Sequence, residues 1–241
     1  LNVIESIKNP TNNSILSSCI SSTATLFKSF ISHFPHFLLN EHISQLFVLL
    51  FSSISNVNYN TKTTIFELIN SFIKTFFLRF SKDESFHNIR LFFIDQLIPI
   101  IQQSILSLFQ SSNIDVVCLS TCFSLISELL NNGWSVELFI NPNFISQIVI
   151  PSCLLTSDDI STFDEIPQHF LEFCYPFEFN EIGEITPRLS IYKMFLVIGN
   201  KYNEAIDQIL DFSFSFLLQN IKQDVVLFEA NLYIISCMIQ Y

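Results

Sequence analysis

Carboxylates, histidines and cysteines are the side chains here with the most chemistry to offer. Histidines stand at His33, His36, His42, His87 and His169, the first three around Phe34-Pro35, where a turn could gather them. A metal site needs at least three ligands at defined spacing, and histidines at a helix break are more often solvated. Asp83-Glu84 and Asp158-Asp159 are adjacent pairs. Neighbouring side chains on a helix point apart, which does not suit a general acid working beside a general base. Gly133-Trp134-Ser135 lacks the second glycine of a nucleophile elbow, and three glycines in the chain leave nothing for a phosphate-cradling loop. The expectation is a non-enzyme, with no catalytic, cofactor-binding or metal-binding residue.

Six cysteines (Cys19, Cys118, Cys122, Cys153, Cys174 and Cys237) are scattered through apolar runs. Cys118 and Cys122 are four apart, which on a helix places two small apolar side chains on one face. All six are expected to be buried free thiols in a reducing compartment.

Charge singles out one stretch. The net charge is -11, and thirteen of the 22 acids lie from Pro151 onward. Between Thr156 and Thr186 there are eight acids and no Lys or Arg. Such a surface repels phosphate backbones, so direct nucleic-acid binding is not expected. It suits a basic protein partner, or equally a loop kept solvated by its charge. Asp158, Asp159, Asp164 and Glu165 are the candidate partner-binding residues, with Asp158 or Asp159 capping a short helix as the plainer alternative. Pro151 is expected to stop the preceding apolar run, making 151–187 an acidic insertion between helices.

The elements that must carry this insertion are helical. Hydrophobic residues make up 49% of the chain, 28 residues are Phe, and the mean hydropathy is +0.44. The best membrane-spanning candidate, Ile89 to Phe109, is interrupted by Arg90, Asp95, Gln96, Gln102 and Gln103, so no membrane insertion is expected. Thr61 to Phe80 is the clearest amphipathic segment. Ile65, Leu68, Ile69, Phe72, Ile73, Phe76 and Phe80 recur at three and four, with Lys62, Glu67, Lys74 and Arg79 on other faces. Before it come 13–32, with Ile15, Cys19, Leu26 and Phe30 as its apolar side, and 41–54, with Leu46, Phe47, Leu49 and Leu50 buried. After it come 87–109, kinked at Pro99, and 114–130, closed by Asn131-Asn132-Gly133. Short helices around Asn141-Pro142 precede the acidic stretch, and 188–199, 203–220 and 222–240 follow it. Phe212, Phe214 and Phe216 alternate with polar residues, but their surroundings favour a helix.

Helix pairs every roughly 40 to 50 residues match the period of HEAT or armadillo arrays, although no strong internal consensus is visible. The expected fold is all-α: an α-solenoid of about five HEAT-like antiparallel pairs over 1–241, with one acidic loop insertion. Aromatic side chains would fill the wide gaps between pairs. Leu1 in place of Met, no leader-like start, and an end inside a helical pattern at Tyr241 suggest a segment of a longer chain.

A resemblance can now be stated. Leu138-Phe139-Ile140-Asn141-Pro142-Asn143 through Ile148-Val149-Ile150-Pro151, then Asp158-Asp159, Phe163-Asp164-Glu165, Gln168-His169-Phe170 and Thr186-Pro187-Arg188, resembles the central region of the importin-β superfamily of nuclear transport receptors. The nearest branch is the CAS-type exportins, which return importin-α to the cytoplasm; the importin-seven/eight type is similar. Ile221-Lys222-Gln223-Asp224 leading into Leu232-Tyr233-Ile234-Ile235 is similar to a further helix of that family, with Glu229-Ala230 disturbing its small-residue spacing. The resemblance implies a protein shuttling between nucleus and cytoplasm. Its implied partners are importin-α-like cargo, the GTP form of Ran, and nucleoporins. It also implies that Arg188 pairs back onto the acidic loop. A generic HEAT or armadillo scaffold for protein–protein interaction is the other reading.

Overall fold

The computed structural model describes residues 10–39, 41–111, 113–165, 186–220 and 224–239. Every regular element among them is helical, so the chain is all-α. It divides into two compact units, Leu1–Cys118 and Leu119–Tyr241.

The first unit is built on α1 (Pro10–His33), α2 (Glu41–Ser52), α3 (Tyr59–Ile73) and α4 (Glu84–Phe109). Pro10 opens α1, because its missing N–H costs nothing in a first turn. The expected apolar side of α1 is out of phase with its buried side. Ile15 and Leu26 are 64% and 55% exposed and Cys19 is exposed, while Ser17, Ala24, Phe27 and Ile31 are buried. The reason is close approach. Thr61 Oγ1 of α3 donates to the Ser17 carbonyl at 3.2 Å, and the Ser21 and Thr64 hydroxyls meet at 3.4 Å, where only small residues fit. Further along, Lys28 pairs with Glu67 at 2.6 Å, so α1 and α3 run side by side in the same direction.

In α2, Phe47, Leu50 and Phe51 are buried, whereas Leu46 and Leu49 face outward. Adjacent helix positions lie about 100° apart, so Leu46-Phe47 and Leu49-Leu50 cannot all share one face. The expected face of α3 is the observed one. Ile65, Leu68, Ile69, Phe72, Ile73 and Phe76 are fully buried, and Asn58 caps the helix by accepting from Thr61 N at 2.9 Å. Lys62 was expected outside; it is 8% exposed, with its ammonium over the Tyr59 ring. Phenylalanine fills the space between helices: Phe72 stacks on Phe93 of α4 at 4.7 Å and meets Phe47 of α2 edge-on at 5.6 Å.

Pro99 acts on α4 through the turn before it. The proline has no N–H and its ring crowds the preceding carbonyls, so Phe93–Leu97 widens into a π turn, with Ile98 N donating to Phe93 O. Glu84–Phe109 is long and apolar enough to cross a membrane by length and composition. Its Phe93, Leu97, Ile101 and Ile105 are fully buried, and Arg90 donates to the carbonyls of Phe80 and Asp83.

The boundary between units falls within α5 (Val116–Asn131). The expected stop after α5 is present: Gly133 sits at φ +77°, Gly133 N donates to Leu130 O and Trp134 N to Leu129 O. Beyond the single turn Val136–Phe139, α6 runs over 142–152, opened by Pro142 under an Asn141 cap. Pro151 does not stop this helix as expected. It is preceded by a π turn, Ile145–Val149, as Pro99 is, and helix continues to Ser152. Then come α7 (Ser157–Glu165), α8 (Pro187–Lys201), α9 (Asn203–Asn220) and α10 (Val225–Ile239). The Phe212, Phe214 and Phe216 alternation lies on helix α9.

Pairing the helices exposes a consensus that reading the chain alone missed. Ile-(Ser/Asp)-Gln-(Leu/Ile) occurs as Ile43-Ser44-Gln45-Leu46, Ile94-Asp95-Gln96-Leu97, Ile145-Ser146-Gln147-Ile148 and Ile206-Asp207-Gln208-Ile209. The first three copies are 51 residues apart, and the fourth, past the acidic stretch, is 61 further on. The four copies lie on α2, α4, α6 and α9, and the glutamine is exposed in all four.

Candidate functional site

The acidic stretch begins as a helix, which corrects the expectation of a loop for its first part. Thr156 and Asp159 form a reciprocal capping box. Asp159 Oδ2 accepts from Thr156 N and Thr156 Oγ1, both at 2.7 Å, and Asp159 N donates back to Thr156 Oγ1 at 3.2 Å. Asp159 is thus committed to the helix start, as the plainer alternative held. Asp158 and Glu165 are exposed on α7, and Asp164 lies on the same helix. The carboxylates in α7's first turn also suit the partial positive charge there. Residues 166–185, including Gln168, His169, Phe170 and Cys174, lie outside the described residues.

Where the chain returns, Thr186 caps α8 by accepting from Leu189 N at 3.1 Å, and Pro187 takes the first helical position. Arg188 follows, on the side of α8 turned inward. Nη1 and Nη2 donate to Glu229 Oε1 and Oε2 of α10 at 2.9 and 2.6 Å, a partner that the sequence reading did not name. Nε and Nη2 also donate to the carbonyl oxygen of Cys153, just after α6. The guanidinium lies over the Tyr233 ring, 4.7 Å from its centroid, and the Tyr233 hydroxyl donates to the Arg188 carbonyl at 2.9 Å. One side chain therefore joins the end of α6, the start of α8 and the middle of α10.

Burial governs the chemistry here. It pushes the Cys153 thiol well above its ordinary range and Cys237 up to about 12, against the pull of the nearby guanidinium, and it raises the Tyr233 hydroxyl as well. Burial disfavours the thiolate at both cysteines, and the hydrogen bonds of the cluster make it a tie between the helices. Among the described residues no three His, Cys, Asp or Glu side chains gather as a metal site, and His36 stacks on Phe86 at 4.9 Å.

Glu229 was missed in the sequence, where it read as a disturbance of spacing. A signal was available. It is the only charged residue in α10, and a lone charge in so apolar a helix needs a counter-charge. Asp224, read as part of that helix, instead caps it, accepting from Val226 N and Leu227 N at 2.9 and 3.1 Å.

A second feature of the unit is an open cleft of about 510 Å³ lined by Val136, Ile140, Lys201, Tyr202, Glu204 and Gln208. Its walls are held by Lys201 and Tyr202, which donate to the Asn131 and Leu130 carbonyls at the end of α5. No protein-family model matches the chain, and no curated protein or solved structure matches it either.

Proposed function

We propose that the chain is an α-solenoid segment of HEAT-like pairs from a nuclear transport receptor. It would carry importin-α-like cargo together with Ran-GTP, as CAS-type exportins do. The observation that carries this reading is the joining of Arg188 to Glu229. Thr186-Pro187-Arg188 and the Leu232-Tyr233-Ile234-Ile235 helix were singled out separately by the resemblance, and the guanidinium links their two helices. The 51-residue recurrence on α2, α4 and α6 supports the repeat architecture, because stacked pairs repeat their contacts. In each unit the first helices also lie side by side. α1 meets α3 through Ser17, Ser21 and Lys28, and α5 meets α8 through Ser124 and Ser190.

Under this reading Asp158, Glu165 and the acids beyond them face a basic partner surface, while Asp159 and Arg188 shape the base of the excursion. Shuttling between nucleus and cytoplasm, and passing contacts with nucleoporins, belong to the same proposal. A pull-down with GTP-locked and GDP-bound Ran, with and without importin-α, tests it. Capture that requires GTP and is strengthened by importin-α is expected. Capture indifferent to the nucleotide would leave a general helical scaffold.

A further inference from the structure

Helix α10 is apolar on every side. Its one charged residue, Glu229, faces Arg188, and a stripe of Val225, Leu232 and Ile239 at heptad spacing is 82%, 42% and 64% exposed. A helix apolar all round is normally covered all round. Helix α3 shows what cover looks like in this chain: it lies under α1, with Phe47 of α2 and Phe93 of α4 against its Phe72. The neighbour of α10 in the hairpin, α9, presents Glu204, Asp207 and Asp211 outward along its first half. Between the start of α9 and the end of α10 lies an open cleft of about 440 Å³, floored by Ile206, Leu210, Met238 and Ile239 and edged by Glu204 and Asp207. Neither helix contains a Lys or Arg.

We propose that this side of the α9–α10 hairpin docks an amphipathic helix of a partner protein. Its apolar residues, spaced at three and four, would lie along Val225, Leu232 and Ile239, and Lys or Arg on its flank would face Glu204 and Asp207. The apolar stripe supplies affinity, and the acidic edge supplies orientation and faster encounter. The same face of a second copy is a poor occupant, because neither α9 nor α10 contains a Lys or Arg and the acidic edges would meet like charge. The surface requires neither Ran nor importin-α.

The test uses a labelled 18-residue helical peptide with Leu at three-and-four spacing and Lys on one flank, titrated by fluorescence anisotropy against the whole chain. Saturable binding is expected. It should weaken by about tenfold in the Leu232→Glu/Ile239→Glu variant, a loss of about 1.4 kcal/mol. In Glu204→Lys/Asp207→Lys, which alters only exposed side chains, preference should pass to the matching peptide with Glu in place of Lys. Circular dichroism establishes that each variant is folded. Equal binding to wild type and both variants would overturn the proposal, as would equal binding of a peptide with Ser in place of every Leu. Concentration-dependent dimerisation abolished by Leu232→Glu/Ile239→Glu would also overturn it, by showing a second copy on the face.

Discussion

Arg188 and Glu229 meet through two hydrogen bonds, at 2.9 and 2.6 Å, with the arginine side chain 7% exposed and the carboxylate 21%. Forty-one residues separate them. A pair this deep has given up most of its hydration, so removing one partner leaves the other without its counter-charge in a setting that water only partly reaches.

Arg188→Met or Glu229→Gln should each destabilise the chain by about 3–5 kcal/mol in urea denaturation. Arg188→Lys should recover only part of that loss, since an ammonium cannot fork to both Glu229 oxygens and the Cys153 carbonyl. Lys28→Ala, which breaks a pair 41% and 46% exposed, should cost less than about 1 kcal/mol, and less again in high salt. Equal losses at the two pairs would contradict the burial argument.

Alkaline pH should weaken the second unit. Cys153 and Cys237 have thiol pKa values raised on folding, so the unfolded chain loses their protons first. For Cys237 the stabilisation is complete below about pH 9 and is lost as pH rises from there toward about 12, by up to about 1.4 kcal/mol per pH unit, and Cys153 acts in the same direction. Cys237→Ala should flatten that slope in denaturation curves taken from pH 7 to 11. A slope unchanged by the substitution would show that other groups govern it.

Thiol labelling should separate the cysteines. Cys19 is exposed, and Cys118, Cys122, Cys153 and Cys237 are buried. With a disulfide reagent in native buffer, Cys19→Ser should remove one equivalent from the fast phase. The four buried thiols should react only after denaturant is added. Fast labelling of Cys153 or Cys237, read by peptide mass, would mean that the Arg188 cluster opens readily.

The capping box makes a local prediction. Thr156→Ala should lower hydrogen-exchange protection over 157–160 by roughly fivefold, the equivalent of about 1 kcal/mol, and leave the global urea midpoint in place. Unchanged exchange in that turn would show that Thr156 does not hold it.

The sequence was most legible where large apolar residues set the helix phase. Ile65 to Phe76 are buried in the order their spacing requires. It misled where small residues set the phase, since Ser17 and Ala24 carry little hydrophobic signal yet mark the line along which α3 touches α1. Pro99 looked like a kink and Pro151 like a stop, because a lost hydrogen bond is visible in sequence and the π turn that absorbs it is not. At the candidate site, Arg188 and Asp159 were visible as charges at turning points. Their partners were not, because Glu229 lies in a distant helix and the Asp159 carboxylate turned back to Thr156.

Cys153 and Arg188 bound a circuit of thirty-four intervening residues whose two ends are stitched to α10 by the same guanidinium. Adding residues to it raises the closure entropy only logarithmically and need not move the three elements at the knot. It is therefore the place in this chain to graft a fluorescent reporter or an epitope.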